Sequence, residues 1–227
     1  MESPIRHTSN PEPLILQLQQ ALRDTLPGAA AQMKMAPAMG QTQPVPGDGA
    51  RSSAVLALLH STPHGLALVF TLRSPSLRHH GGQISFPGGG VEPSDLTLAA
   101  AALRETEEEL GISTHGIKIL GEMTPLFIAP SQNIVHHFVG WLPLLPPMHP
   151  NPVEVDRVLQ VPLNALLDPR SLETTYWPRN GVMLSAPCYR IEETCIWGAT
   201  AMMLSELLEV IRQLHARLGL PPCLAAS

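Results

Sequence analysis

The chain has 227 residues, 44% of them hydrophobic and 15% charged, the make-up of a compact globule with a sizeable core, which excludes a disordered chain. Its formal net charge of −5 excludes a nucleic-acid backbone as the general partner, since that needs a basic patch, but permits a small anionic substrate bridged by metal. No apolar run approaches the ~20 residues of a membrane span. The opening Met1-Glu2-Ser3-Pro4-Ile5-Arg6-His7 lacks the apolar core of a signal peptide. Cys188, Cys195 and Cys223 are odd in number and form no C-x-x-C pair. That predicts neither a zinc site nor a disulfide framework, and a reducing cytoplasm is the simplest location. The 24 prolines gather in 36–47, 143–152 and 221–222, which read as linkers and loops.

Residues 12–25 form a short amphipathic helix on the stripe Leu14, Leu16, Leu18, Ala21, Leu22 and Leu26, stopped by Pro27-Gly28. Residues 28–50 read as an extended connector, with Met33, Met35 and Met39 as packing or disorder. Two strands follow at 53–59 and 66–72, around the turn Ser61-Thr62-Pro63-His64-Gly65. The second delivers Arg73 and Ser74, and Arg78 comes after a short loop. An Arg fork pairs with phosphate oxygens at two points, so Arg73 and Arg78 are either substrate contacts or structural ion pairs holding the loop. His79-His80 reads as loop.

A short strand at 83–86 runs into Phe86-Pro87-Gly88-Gly89-Gly90, and a helix covers 95–110. At about 100° per residue, Leu96, Ala99, Ala100, Leu103 and Leu110 fall on one side as a buried stripe. Glu105, Glu108 and Glu109 share a narrow arc opposite. Asp95 is placed to cap the helix, and Gly111 to end it in the left-handed conformation. Three like charges on one turn repel, and a hard divalent cation with oxygen ligands relieves them.

Beyond Gly111, strands are expected at 117–120 and 136–142, with a long loop at 121–134 that includes Pro130-Ser131-Gln132-Asn133. His136 and His137 read as strand packing or surface. After the Pro-rich 143–152 comes Glu154-Val155 ahead of a strand ending in Pro162-Leu163. A short helix at 162–167, a hairpin over 184–191 and 193–197, and a helix from Trp197-Gly198-Ala199-Thr200 to Leu218 complete the fold. The last helix has the buried stripe Ala201, Leu204, Leu207, Leu208, Ile211 and Leu214. Residues 219–227 form a frayed tail. The domain reading is therefore 1–50 as helix and connector, 51–218 as the functional domain, and 219–227 as tail.

The stretch Gly90 to Ile112 resembles the Nudix box, Gly-x5-Glu-x7-Arg-Glu-U-x-Glu-Glu-x-Gly-U, with U a bulky apolar residue. Gly90, Arg104, Glu105, Glu108, Glu109, Gly111 and Ile112 match. Leu96 stands where the pattern has its first Glu, and Thr106 where it has a bulky apolar residue; Asp95 or Glu92 is then the nearest acid. Upstream, Thr71-Leu72-Arg73-Ser74, Arg78, Gly82 and Phe86-Pro87-Gly88-Gly89 are similar to the pattern of the coenzyme A pyrophosphatase branch of Nudix hydrolases. The Trp197-Gly198-x-Thr200 junction is similar to that branch as well, whereas His136-His137 stands where the branch tends to carry a proline.

The resemblance, covering about 50–218, implies an α/β fold with a mixed β-sheet sandwiched between α-helices. It implies hydrolysis of a diphosphate with Mg²⁺ or Mn²⁺ held by Glu105, Glu108 and Glu109. Arg104 would orient a metal-binding Glu, and the base would be a Glu of the box or Glu154. Arg73, Ser74, Arg78 and the amides of Gly88 and Gly89 would meet the substrate. The implied substrate is coenzyme A or acyl-CoA, cut to 3′,5′-ADP and (acyl-)4′-phosphopantetheine. Another nucleoside diphosphate derivative, or a non-catalytic nucleotide-binding module, are the competing readings, and a homodimer is a further implication.

Overall fold

The computed structural model describes residues 11–37, 46–47, 49–77, 80–179 and 182–219. Arg78 and His79, named above, lie outside the described residues, as do 38–45 of the Pro-rich connector and 220–227 of the tail. The chain opens with α1 (Glu12–Ala21), which buries Ile15, Leu18 and Ala21 and ends earlier than the expected residue 25. The extended connector is overturned in its first part. It folds into α2 (Ala29–Gln32) and a 3₁₀ turn at Met33–Met35, with Met35 buried.

The reason lies far along the chain, in a partner that local composition does not reveal. Glu206, fully buried, accepts from Gly28 N at 2.9 Å, Gln32 Nε2 at 3.0 Å and Thr124 Oγ1 at 2.6 Å. Ser205 Oγ donates to the Ala31 carbonyl at 2.9 Å.

Next come β1 (Arg51–Thr62), β2 (Gly65–Arg73), β3 (Ile84–Ser85), β4 (Gly88–Gly90) and α3 (Leu98–Leu110). They are followed by β5 (Lys118–Glu122), β6 (Leu126–Ile128), β7 (Asn133–Leu142), β8 (Val155–Pro162) and α4 (Leu163–Leu167). The main sheet runs β3-β2-β1-β7-β5, with β4 on β1, β6 on β7 and β8 on β2. Among the described residues only β1 and β7 pair in parallel, from Arg51↔Asn133 to His60↔Leu142, so the sheet is mixed. The expected loop 121–134 is largely ordered as β6 and the 3₁₀ turn Ala129–Ser131, which closes a hairpin onto β7.

Alternating side chains of β1 sort the core into two layers. Ala57 and Leu59 face α1 and α5 (Gly198–Leu218), while Ala54, Leu56 and Leu58 face α3. The sheet is thus sandwiched between helices. The β1–β2 hairpin pairs tightly only near its turn, Leu59↔Leu68 to Thr62↔Gly65. Further out the same edges take β4 (Val55↔Gly88) and β3 (Thr71↔Ser85). Residues 84–90 therefore fill the split and bring the Gly-rich segment beside Arg73.

A second, three-stranded sheet is built from β9 (Leu172–Arg179), β10 (Val182–Ile191) and β11 (Thr194–Trp197). β9 is absent from the sequence reading. The expectation of unpaired cysteines is also overturned. The β10–β11 register, Cys188↔Trp197 and Arg190↔Cys195, makes Cys188 and Cys195 diagonal neighbours, and they form a disulfide. Spacing of seven residues does not disclose the turn that aligns them. α5 carries the expected buried stripe in full. No described helix is long and apolar enough to cross a membrane.

Candidate active site

α3 begins two residues later than Asp95 would allow: Thr97 is the N-cap, its Oγ1 accepting from Ala100 N at 3.0 Å. Gly111 ends it at φ 62°, and a Cβ there would run into the His149 carbonyl. Leu96 therefore precedes the helix and is 94% exposed, so it leaves the predicted stripe. The buried face is Ala101, Ala102, Thr106, Glu109 and Leu110. Small alanines let the helix lie close on Ala54 and Leu56, and this rotates Glu109 inward, while Glu108 stays outside. The three glutamates do not share one solvent face. Thr106, in the place of a bulky apolar residue, is fully buried, and its hydroxyl is satisfied by the Ala102 carbonyl at 2.7 Å.

Arg104 is the hub of the outer half. Its Nε and Nη2 donate to the two carboxylate oxygens of Asp95, each at 3.0 Å. Nη2 also reaches the Gly90 carbonyl at 2.8 Å, and Nη1 reaches Glu105 Oε1 at 3.0 Å and Glu108 Oε2 at 3.2 Å. Hydrogen bonds from Arg104, then from the Glu92 amide, hold the Asp95 carboxyl below its usual range. Burial pushes Glu105 up, opposed by Arg104.

Glu109 forms the inner half. It is 2% exposed; Oε2 accepts from Gly88 N at 3.3 Å and Oε1 lies 3.6 Å from Arg73 Nη1. Burial raises its pKa to about 7, against the pull of Arg73 and the Gly88 amide, with Glu154 and Glu105 adding to the rise. Arg73 Nε is buried and has no hydrogen-bond partner among the described residues.

Glu154 is brought close by a segment that docks on the end of α3. Asn151 N donates to the Glu109 carbonyl at 3.0 Å, Asn151 Nδ2 to Glu154 Oε1 at 3.3 Å, and Ser74 N to the Glu154 carbonyl at 2.8 Å. Sequence reasoning misses Asn151; no spacing marks it. Ser74, expected at the substrate, has its hydroxyl bonded to Ser76 Oγ at 2.8 Å.

The Gly-rich segment, expected as a loop, is the strand β4. The Gly88 amide is directed at Glu109, so it is already engaged. Gly88, at φ +149°, packs so closely on β1 that a Cβ would strike the Ala54 carbonyl. At Gly89 a Cβ would occupy the space of the Glu105 carboxylate. These glycines admit a carboxylate and a neighbouring strand, both parts of the protein itself.

Among the described residues no three His, Cys, Asp or Glu side chains converge into a ready-made metal cage. Mg²⁺ does not need one, because it binds through one or two carboxylates and completes its shell with substrate phosphates and water. The residues present fit such an ion. They offer only hard oxygen donors, the space a Cβ would take at Gly89 is given to Glu105, and neighbouring carboxylates act on Glu105 and Glu109 to raise them.

The family model for the NUDIX domain matches residues 50–184, more than half of the chain. The chain is 35% identical over 165 residues to an uncharacterized Nudix hydrolase, NudL, of Photorhabdus laumondii, covering 73% of this chain and 87% of the relative. It is 33% identical over 192 residues to the mitochondrial coenzyme A diphosphatase NUDT8 of Homo sapiens, covering 83% and 76%. Among solved structures, the Nudix hydrolase RenU of M. smegmatis aligns over 81% of this chain and 94% of its own, at 18% identity and a TM-score of 0.48. That likeness is too loose to carry an argument, and the assignment rests on the sequence matches. A Gly-rich strand, an Arg-Glu-x-x-Glu-Glu helix and these matches coincide in one region, and the chain belongs to the Nudix hydrolase family.

Proposed function

We propose that this Nudix hydrolase cleaves the diphosphate of coenzyme A or an acyl-CoA, releasing 3′,5′-ADP and (acyl-)4′-phosphopantetheine. Nudix hydrolases act on small-molecule diphosphates and generally use divalent metal ions. The finer reading rests on the pattern from Thr71 to Gly89, supported by the activity named for the human relative.

In this reading Glu105, Glu108 and Glu109 hold Mg²⁺ or Mn²⁺. When bound, the ion neutralises diphosphate charge and lowers the pKa of a coordinated water. Arg104 orients Glu105, to which it donates at 3.0 Å. Arg73 contributes its guanidinium, with the buried Nε as an available donor, to a phosphate oxygen. A water oxygen bonds to one phosphorus while the bridging P–O bond breaks. The water proton passes to a carboxylate drawn from Glu105, Glu109 and Glu154, and the leaving phosphate carries away the electron pair.

The test is a product assay with coenzyme A and acetyl-CoA, with Mg²⁺ or Mn²⁺ and then with chelator. Metal-dependent appearance of 3′,5′-ADP is expected. Cleavage of a different nucleoside diphosphate derivative, with coenzyme A untouched, would keep the hydrolase and remove the substrate. Binding without any cleavage would favour the nucleotide-binding module.

A further inference from the structure

We infer that Asn151 is a positioning residue for Glu154: its side-chain amide aims that carboxylate, and its backbone fastens the segment to the helix turn of Glu109. The inference rests on the proposal that Glu154 belongs to the hydrolytic site.

The hydrogen bonds of Asn151 fall into two sets. In the first, its backbone N donates to the Glu109 carbonyl at 3.0 Å, one of the acceptors that α3 leaves open at its end. Its own carbonyl accepts from Glu154 N at 3.1 Å and from Val155 N at 2.8 Å. His149 N takes the Leu110 carbonyl in the same way, at 2.9 Å. From the other side, Ser74 N holds the Glu154 carbonyl at 2.8 Å, just past the bulge where Leu72 pairs with Arg157 but Arg73 with Val155. The Glu154 backbone is thus fixed between the end of α3 and the end of β2. Any residue with a backbone N–H could supply the Asn151 share of this.

The second set requires an amide side chain. Val153 N can only donate, and it meets Asn151 Oδ1 at 3.1 Å, so Nδ2 is the atom that faces Glu154 Oε1 at 3.3 Å. A glutamate side chain has several free torsions, and holding it in one direction costs entropy that a contact must offset. Among the described residues, Asn151 is what hydrogen-bonds the Glu154 carboxylate, and no Lys, Arg or His pairs with it. Glu105 and Glu109 each face a guanidinium instead, of Arg104 at 3.0 Å and of Arg73 at 3.6 Å. An amide donates without bringing a charge. Glu154 is therefore aimed while its negative charge is left whole, and that charge reaches both Glu105 and Glu109.

The experiment compares Asn151→Ser, Asn151→Ala and Glu154→Gln in the full chain by turnover of coenzyme A with Mg²⁺, KM and Tm. Serine keeps a short acceptor for the Val153 amide but has no donor that reaches Glu154. Asn151→Ser should lose turnover by about tenfold or more, with KM within about twofold and Tm within about 1 °C. Asn151→Ala also loses the turn, and should lower Tm by about 3 °C with the same loss of turnover as Asn151→Ser. A merely structural role would make turnover follow Tm across the two variants. Added to Glu154→Gln, Asn151→Ser should cost nothing further, because the pair acts as a unit. In the metal-free protein, the side-chain amide resonances of Asn151 should move in Glu154→Gln, which reports the contact independently of activity.

Unmoved Asn151 resonances in Glu154→Gln, or wild-type turnover in Asn151→Ser beside an impaired Glu154→Gln, would overturn the inference and leave the site reading intact. Additive losses in the double variant would overturn it too. Wild-type turnover in Glu154→Gln itself would remove Glu154 from the site and the inference with it. Where another nucleoside diphosphate derivative is the substrate, the same factors are expected with that compound, since the contact lies within the protein. Cleavage of none of them would bring down the functional reading and the inference together.

Discussion

Arg73 Nη1 stands 3.6 Å from Oε1 of Glu109, a carboxylate 2% exposed. This cation opposes the burial that leaves the Glu109 pKa raised to about 7. A carboxyl carbon titration of the metal-free protein should show one glutamate near that value. Arg73→Gln should move it upward, since the charged form loses its nearest cation. A downward shift, or none, would remove Arg73 from the electrostatics of Glu109.

The same group sets a pH dependence of stability. The folded pKa of Glu109 lies above the ordinary glutamate value of about 4.5. Between about pH 4.5 and 7 the native state therefore holds the extra proton, and stability falls as pH rises through this window. For the metal-free protein the loss is on the order of 3 kcal/mol. Glu109→Gln should abolish it, making the variant more stable than wild type at pH 8 in urea denaturation while turnover disappears. Glu108→Gln, at an exposed position, should lose turnover without this gain in stability.

His137 works in the opposite sense. Its ring is fully buried, stacked on Phe86 with centroids 4.9 Å apart, and neither ring nitrogen has a hydrogen-bond partner among the described residues. Burial lowers its pKa to about 3. Below about pH 6.5 the unfolded chain takes up a proton the native state refuses, so stability falls with falling pH, by on the order of 4 kcal/mol at pH 3. His137→Leu should raise the urea midpoint at pH 5 relative to wild type and change it little at pH 7.5. Equal acid lability in the two proteins would assign the loss to other groups.

Gly89→Ala should retain the fold and lose turnover by more than about tenfold, because the new Cβ displaces the Glu105 carboxylate and a small misplacement of a reacting group is enough for such a loss. Comparable activity would mean that Glu105 has another position from which it serves.

Glu206→Leu should destabilise the chain by roughly 3 kcal/mol, leaving the donors of Gly28, Gln32 and Thr124 buried without their acceptor. Hydrogen exchange should rise selectively at 28–35, the segment tied to α5. Uniform acceleration across the main sheet would instead show global unfolding.

By itself, the sequence determined the mixed-sheet class, the β1–β2 hairpin, α5 with its stripe, the Gly111 stop, and the membership of Arg73, Arg104, Glu105, Glu109 and Glu154 in one neighbourhood. The hairpin, α5 and the Gly111 stop follow from periodicity and punctuation, which are local properties of the chain, while the mixed-sheet class and the shared neighbourhood follow from the resemblance to the Nudix family. Tertiary structure decided which way α3 turns. Amphipathic counting placed Glu109 with the solvent-facing acids, but packing of Ala101 and Ala102 against β1 turned it inward. That rotation is why its pKa differs from that of an exposed glutamate.

Long-range contacts likewise decided that 28–35 folds, because Glu206 lies 178 residues from Gly28. Strand register decided that Cys188 meets Cys195. Between the two nearest acids that the sequence offers in place of Leu96, the structure decided for Asp95, whose carboxylate takes two hydrogen bonds from Arg104 while Glu92 stays at 4.0 Å. A spacing pattern records which residues are near in sequence, while charge, burial and hydrogen bonding act through distances in space.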